Sequence, residues 1–298
     1  TNLALTLRRK GYEVFSVHNG DGYKSFVPDY NISYKTISSN NKIIQKIINL
    51  YYLILVYSGF KGIIQIFKYL DILKKLKGYD VVQLINPRFL AGFGTIVNLL
   101  VFIYLKKNNK KIFLCALGDD YYWVNYCLKG GFEYSIFDRL NLNTFPKYAY
   151  SLHYKYGFLN PFLNKYICNN VNAIIPGLYD YYVPYKEFPY TTEVVPIIVE
   201  TKVDTKLLDI DDFSNPIKIF HGWQPGREIT KGNDIFDIAI KKLLLKYPNK
   251  IEYTVIGGVP YHEYKTLFQS CHIFIDQCFS QDCGVNALLG LAEAKVVF

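Results

Sequence analysis

Methionine is absent from the 298 residues, and only two are tryptophan. The chain opens at Thr1 inside a helical pattern running from Asn2 to Lys10 and stops at Phe298 just as a strand begins. It is therefore expected to be a fragment, lacking its first strand and its last elements. The six cysteines show no C-x-x-C pair and no framework spacing, so neither a disulfide scaffold nor a zinc site is expected. Cys115 falls in a core strand. Cys278 and Cys283 share a loop with His272 nearby, a set read as buried thiols of a reduced, cytoplasmic protein rather than a metal site. No signal peptide is legible. There is no G-x-S-x-G elbow, Walker loop or intact G-x-G-x-x-G, and the five histidines have no triad spacing. Nucleic acid is not expected as a partner, because no zinc-finger or RNP-type module occurs.

Long uncharged runs are also missing. The two longest, Ile47–Phe60 and Phe89–Leu105, have 14 and 17 residues, too few to make a clear bilayer span. Both read as helices buried in a core. For the first, attachment to a membrane surface stays open, because Tyr51, Tyr52, Tyr57 and Phe60 mix with Lys42, Lys46 and Lys61.

What is present is apolar and basic. Half the residues are hydrophobic and 17% are aromatic, enough to build a core in each of two α/β domains. Basic residues outnumber acidic ones 34 to 25, a net charge of +9, which suits phosphate-bearing partners: a nucleotide donor or an anionic membrane face. Most of the lysines are scattered and belong to solvated surface.

Candidate strands are Tyr12–Val17, Tyr79–Ile85, Lys111–Leu117, Ala173–Pro176 and Glu193–Ile197. Most are continuous apolar runs rather than alternating ones, as expected for parallel strands buried on both faces, and helical segments separate several of them. The fold class is thus α/β, with doubly wound, Rossmann-like sheets. The polar stretch from Val199 to Pro216 reads as a connection between a first domain, residues 1–200, and a second, residues 217–298.

The second domain opens on an anion-binding pattern. Strand Ile217–Phe220 runs into a glycine- and proline-bearing loop that carries Arg227 and Lys231, and then a periodic helix with Asn233 or Asp234 as N-cap. Orphan backbone N–H groups and the helix dipole then face the same place as the two cations. Residues 251–298 continue as strand 251–256, helix 261–270, strand 272–276, helix 284–294 and a strand from 295.

In this order, Arg227, Lys231-Gly232, the VIGG strand end, PYHEY, the HIFIDQ strand and GVNALLGLAEAKVV resemble the C-terminal half of glycosyltransferase family 4 enzymes of the GT-B fold, over about 80 residues. The resemblance implies two facing Rossmann-like domains with donor and acceptor between them. It also implies a nucleotide-sugar donor, a cell-surface carbohydrate or lipid-linked acceptor, retention of configuration, and no metal or other cofactor. By position Arg227 and Lys231 would hold the donor diphosphate, with Gly232 and Gly257 at the turns beside it. Relatives carry two glutamates eight positions apart, the second on the nucleotide ribose; here these positions are Gln281 and Leu289. Gln281 and Asn286 would sit near the nucleoside sugar, and donor binding would be rearranged around Leu289. A catalytically degenerate GT-B-like scaffold and a nucleotide-sugar epimerase are the alternatives.

On the acceptor side, strand 111–117 empties into Gly118-Asp119-Asp120, followed by Tyr121, Tyr122 and Trp123. Asp119 or Asp120 would orient or deprotonate an acceptor hydroxyl, and either would equally serve as a helix cap. Asn86 and Arg88, Gly177, and His18 with the loop after it are further candidates for lining the acceptor.

Overall fold

The computed structural model describes residues 2–19, 28–199, 215–223, 226–259 and 261–298. The proposed connection at 199–216 and the loop after His18 fall largely outside them. The first half comprises α1 (Asn2–Arg9), β1 (Val17–His18), β2 (Tyr30–Asn31), α2 (Lys42–Tyr57), a 3-10 turn (Gln65–Tyr69), α3 (Leu70–Lys75), β3 (Val81–Leu84), α4 (Thr95–Asn108), β4 (Lys111–Ala116), α5 (Tyr121–Leu128), α6 (Phe145–Tyr156), α7 (Asn160–Asn170), β5 (Ala173–Pro176) and α8 (Tyr179–Tyr185). The second comprises β6 (Ile217–Gly222), α9 (Glu228–Lys231), α10 (Asn233–Lys246), β7 (Ile251–Ile256), α11 (Tyr261–Ser270), β8 (Ile273–Ile275), α12 (Val285–Ala292) and β9 (Val296–Val297).

Among the described residues all ladders are parallel, and the strand orders are β1-β2, β3-β4-β5 and β7-β6-β8-β9. The expected mixed α/β, Rossmann-like character is therefore present. Covering helices explain the unbroken apolar runs. In β6, Ile219 packs with Ile240 of α10 on one face, and its neighbour Phe220 packs with Phe268 of α11 on the other. In the first half, Leu84, Ile112, Leu114 and Ile174 of the sheet meet Val97, Val101 and Phe102 of α4 and Leu163 and Ile167 of α7. Each such side chain contributes roughly 1.5–3 kcal/mol by leaving water.

The structure corrects four local expectations. Of Tyr12–Val17 only Val17 joins a strand, with His18, in the pair with β2. Glu193–Ile197 forms no strand: a bridge from Ile174 to Thr191 and the Val195 N–H on the Pro176 carbonyl (2.9 Å) tie it to β5, and Pro196 has no N–H to extend a ladder. The N-cap of α10 is Gly232, not Asn233 or Asp234, because the loop first makes the one-turn helix α9. Finally, Phe89–Leu105 yields α4, whose Val97, Val101, Phe102 and Leu105 are buried, but Ile47–Phe60 yields most of α2, where only Val56 is buried along the helix. The second run is a core helix; the first is not.

Candidate functional site

A parallel sheet whose strand order reverses leaves a crevice at the carboxyl ends of its strands. In the four-stranded sheet the chain goes from β6 outward to β7, then returns to β8 on the other side of β6. The reversal lies between β6 and β8. The segments leaving these two strands contain residues 223–232 and 276–284, which hold Arg227, Lys231, Gly232 and Gln281.

The two segments are laced together. The Cys278 N–H donates to the Lys231 carbonyl at 3.0 Å, and Lys231 Nζ lies 3.3 Å from Asp276 Oδ1, at the end of β8. Glycine suits position 232 better than any other residue. Its φ is +72°, and a Cβ would lie 2.0 Å from Cys278 Sγ. The residue after it, Asn233, is fully buried and donates its amide to His221 Nε2 at 2.8 Å, while His221 Nδ1 faces Tyr253 Oη at 2.8 Å. Burial pushes the His221 imidazole down to about 4, so it is neutral and its tautomer can serve both partners. This buried triad fixes the turn that presents Lys231.

Arg227 precedes α9 and makes no salt bridge among the described residues. Its charge acts on Asp119, at the end of β4 in the first half. Burial raises the Asp119 carboxyl; the Arg227 guanidinium and a hydrogen bond from Ser151 Oγ (3.0 Å) oppose that shift. Asp120, next in sequence, is wholly buried and has both oxygens engaged: the Trp123 N–H donates to Oδ1 at 2.9 Å and the Tyr185 hydroxyl to Oδ2 at 2.7 Å. Burial lifts it to about 6. Asp120 is the N-cap of α5, so of the two carboxylates offered for acceptor chemistry only Asp119 has geometry that suits the role.

The carboxyl ends of the two larger sheets also touch elsewhere. Asp180 Oδ2 in α8 accepts from Ser280 Oγ (2.6 Å) and from the Gln281 N–H (3.2 Å), and Gln281 Nε2 donates to the Tyr134 carbonyl at 3.1 Å. The Tyr179 N–H donates to Asp282 Oδ2 at 2.6 Å. Arg139 makes a two-pronged pair with Asp234 in the first turn of α10, at 2.7 and 2.9 Å. Ile229 of α9 packs against the cluster built from Trp123, Phe137, Tyr148 and Leu152.

Other sequence candidates fall into place differently. Gly257 is exposed at the end of β7, and Asn286 is half-buried in the first turn of α12. Leu289 packs into the cluster of Phe220, Phe268 and Phe274, on the core side of α12. Asn86 anchors the β4 loop, donating to the carbonyls of Leu117 (3.0 Å) and Asp119 (3.2 Å). Arg88 is buried: it donates to the Phe93 carbonyl at 2.8 Å and contacts His153. At Gly177 the close neighbour is the Leu117 side chain, 2.5 Å from where a Cβ would stand. His18 ends β1.

Sequence reasoning missed Asp276, Asp180 and the Arg139–Asp234 pair. Asp276 had a signal, as the carboxylate ending the HIFIDQ strand. The other two depend on contacts across about 95–101 residues, which no local pattern encodes. The chain matches no protein-family model, and no curated protein sequence aligns with it.

Proposed function

We propose that the chain is a GT-B-type glycosyltransferase, similar to family 4, that moves a sugar from a nucleotide-sugar to a carbohydrate or lipid-linked acceptor. The observation that carries this reading is the convergence at the strand-order reversal of the four-stranded sheet. Arg227 and Lys231 stand there, and Arg227 acts electrostatically on Asp119, which follows β4 of the three-stranded sheet. Two cations fixed at such a crevice suit a departing nucleoside diphosphate, whose charge grows as the glycosidic bond breaks. Asp119, held by Ser151, is the group for orienting an acceptor hydroxyl. With the donor phosphate taking the acceptor proton, no protein nucleophile is needed. Gln281 and Asn286 lie on the loop and helix that would flank the nucleoside.

Steady-state transfer assays on Arg227→Ala and Lys231→Ala test this. Each is expected to lose roughly 2–4 kcal/mol of transition-state stabilisation, and turnover within twofold of the parent chain in either variant rejects the role.

One observation favours a second reading, a binding or scaffold protein built on the same fold. Leu289 faces an aromatic core and offers no hydrogen bond to a ribose. Calorimetric titration of nucleoside diphosphates separates the two: saturable binding that Lys231→Ala weakens favours the transferase, and no binding favours the scaffold.

A further inference from the structure

The α2 helix is held along one flank only. Asn41 caps it by accepting from the N–H groups of Ile43 and Ile44, at 2.9 and 3.3 Å. On its inner side Tyr52 Oη accepts from the Ile37 N–H (2.6 Å), and Tyr57 Oη donates to the Ala149 carbonyl of α6 (2.7 Å). The opposite face carries Ile43, Ile47, Leu50 and Ile54, spaced four, three and four residues apart. That spacing draws one stripe along a helix. The four side chains are 71, 63, 59 and 59% exposed. In the adjoining 3-10 region Ile64 and Phe67 are 80 and 63% exposed. That region stays beside α2 because Gln65 exchanges hydrogen bonds with the Lys35 backbone and Tyr34 packs edge-on against Tyr52. An apolar surface this continuous marks an interaction site.

The charge around it has one sign. From Tyr30 to Leu70 the chain has no aspartate or glutamate and carries lysines at 35, 42, 46 and 68, all exposed, with a fifth, Lys61, half-buried and its Nζ over the Tyr34 ring. A second copy of the chain docked isologously through this face would set those lysines against themselves. An anionic lipid surface instead takes aliphatic side chains among its acyl chains and lysine ammonium groups at its phosphates. At 16 residues, α2 is about 24 Å long, shorter than the hydrocarbon core it would have to cross, so it lies along the interface rather than through it.

We propose that α2 and the turn after it form a docking face for an anionic bilayer, with the Ile43–Ile54 stripe entering the acyl boundary. The inference goes beyond sugar transfer and does not depend on it.

Co-sedimentation of the chain with phosphatidylcholine vesicles, with and without phosphatidylglycerol, tests it. Binding is expected with the anionic vesicles, weakened by salt. The double variant Ile47→Glu, Ile54→Glu is expected to partition at least about tenfold less, as is Lys42→Glu, Lys46→Glu. Unchanged far-ultraviolet dichroism would establish that these exposed positions leave the fold intact. An independent probe is Ile47→Trp, whose added indole emission shifts to the blue on anionic vesicles if the stripe enters the bilayer. Absence of binding, binding indifferent to the stripe variants, unshifted emission from the Ile47→Trp variant, or a dimer in light scattering that the stripe variants dissolve would each overturn the proposal.

Discussion

Lys231 and Asp276 meet between the segment that leaves β6 and the end of β8, with 3.3 Å from Nζ to Oδ1 and only 17 and 7% of their side chains exposed. Each charge has lost most of its water, and the other replaces it. Removing one partner strands the other, a cost of about 3 kcal/mol for well-buried pairs, whereas removing both costs less than the sum. Lys231→Met and Asp276→Asn are therefore each expected to lower the denaturant midpoint, and the double variant to recover part of the loss. The proposed donor site adds a second expectation. In Asp276→Asn the ammonium lacks its carboxylate, so a nucleoside diphosphate should raise the melting temperature more than in the parent chain. Equal shifts in both would separate Lys231 from diphosphate binding.

Asp119 and Asp120 are neighbours in sequence with opposite duties. Asp119→Asn is expected to cut transfer by about tenfold or more with little change in stability, as the loss of a hydrogen bond between a carboxylate and the acceptor hydroxyl would. Asp120→Asn keeps the cap, since Asn is as good an N-cap as Asp and the Tyr185 hydroxyl can turn from donor to acceptor. Burial holds the Asp120 pKa near 6, above its ordinary 3.8. The folded chain thus binds the proton more tightly than the unfolded chain, and this group costs stability as pH rises from 3.8 to 6. Asp120→Asn is expected to be the more stable form at pH 8, by about 2–3 kcal/mol at most, and to lose that advantage by pH 4. Urea unfolding at both pH values measures it. A stability gap that stays the same at the two pH values contradicts the assignment.

How far the sequence foretells these features follows from the range of the interactions. Strands β4 and β5 are legible because covering helices demand continuous apolar runs. Strand β7, at the sheet edge, has no buried residue and is legible from its β-branched and aromatic residues before a glycine turn, and α11 coincides with its expected span, 261–270. Arg227 and Lys231 stand out because a strand, a turn and a helix follow one another locally. The α2 stripe reads wrongly as core, since an apolar run looks the same whether protein or something else covers it. The roles of Asp119 and Asp120 are not separable either. Which carboxylate turns inward depends on Tyr185, 65 residues away, and which one feels the charge of Arg227 depends on the second half of the chain.

Gly232 carries two constraints at once, a positive φ of 72° and a neighbour, Cys278 Sγ, where a Cβ would go. Gly232→Ala should destabilise the chain by about 2–4 kcal/mol, from the left-handed backbone together with the overlap. Adding Cys278→Ala removes the overlap and leaves the backbone term, so the double variant should recover part of the loss in thermal melts. No recovery would place the whole cost in the backbone.

Two imidazoles give the fold a defined acid limit. His221, enclosed by Asn233 and Tyr253, is lowered to about 4, and His153, buried beside the Arg88 guanidinium, to about 3. Burial is the larger cause in both. A folded-state pKa below the ordinary 6.5 means that the unfolded chain takes up the proton first. The stability these neutral rings contribute is present above pH 6.5 and is lost as pH falls toward 4. Each ring adds a slope of about 1.4 kcal/mol per pH unit in that window, partly offset between pH 6 and 3.8 by Asp120, whose sign is opposite. His221→Gln should flatten the slope by close to one proton and leave stability above pH 7 lower but insensitive to that ring. Asn233 and Tyr253 would then face an amide in place of the imidazole, so the variant should also weaken any diphosphate binding that relies on Lys231, two residues before Asn233. An undiminished acid slope in His221→Gln would mean that the ring is not neutral in the folded chain.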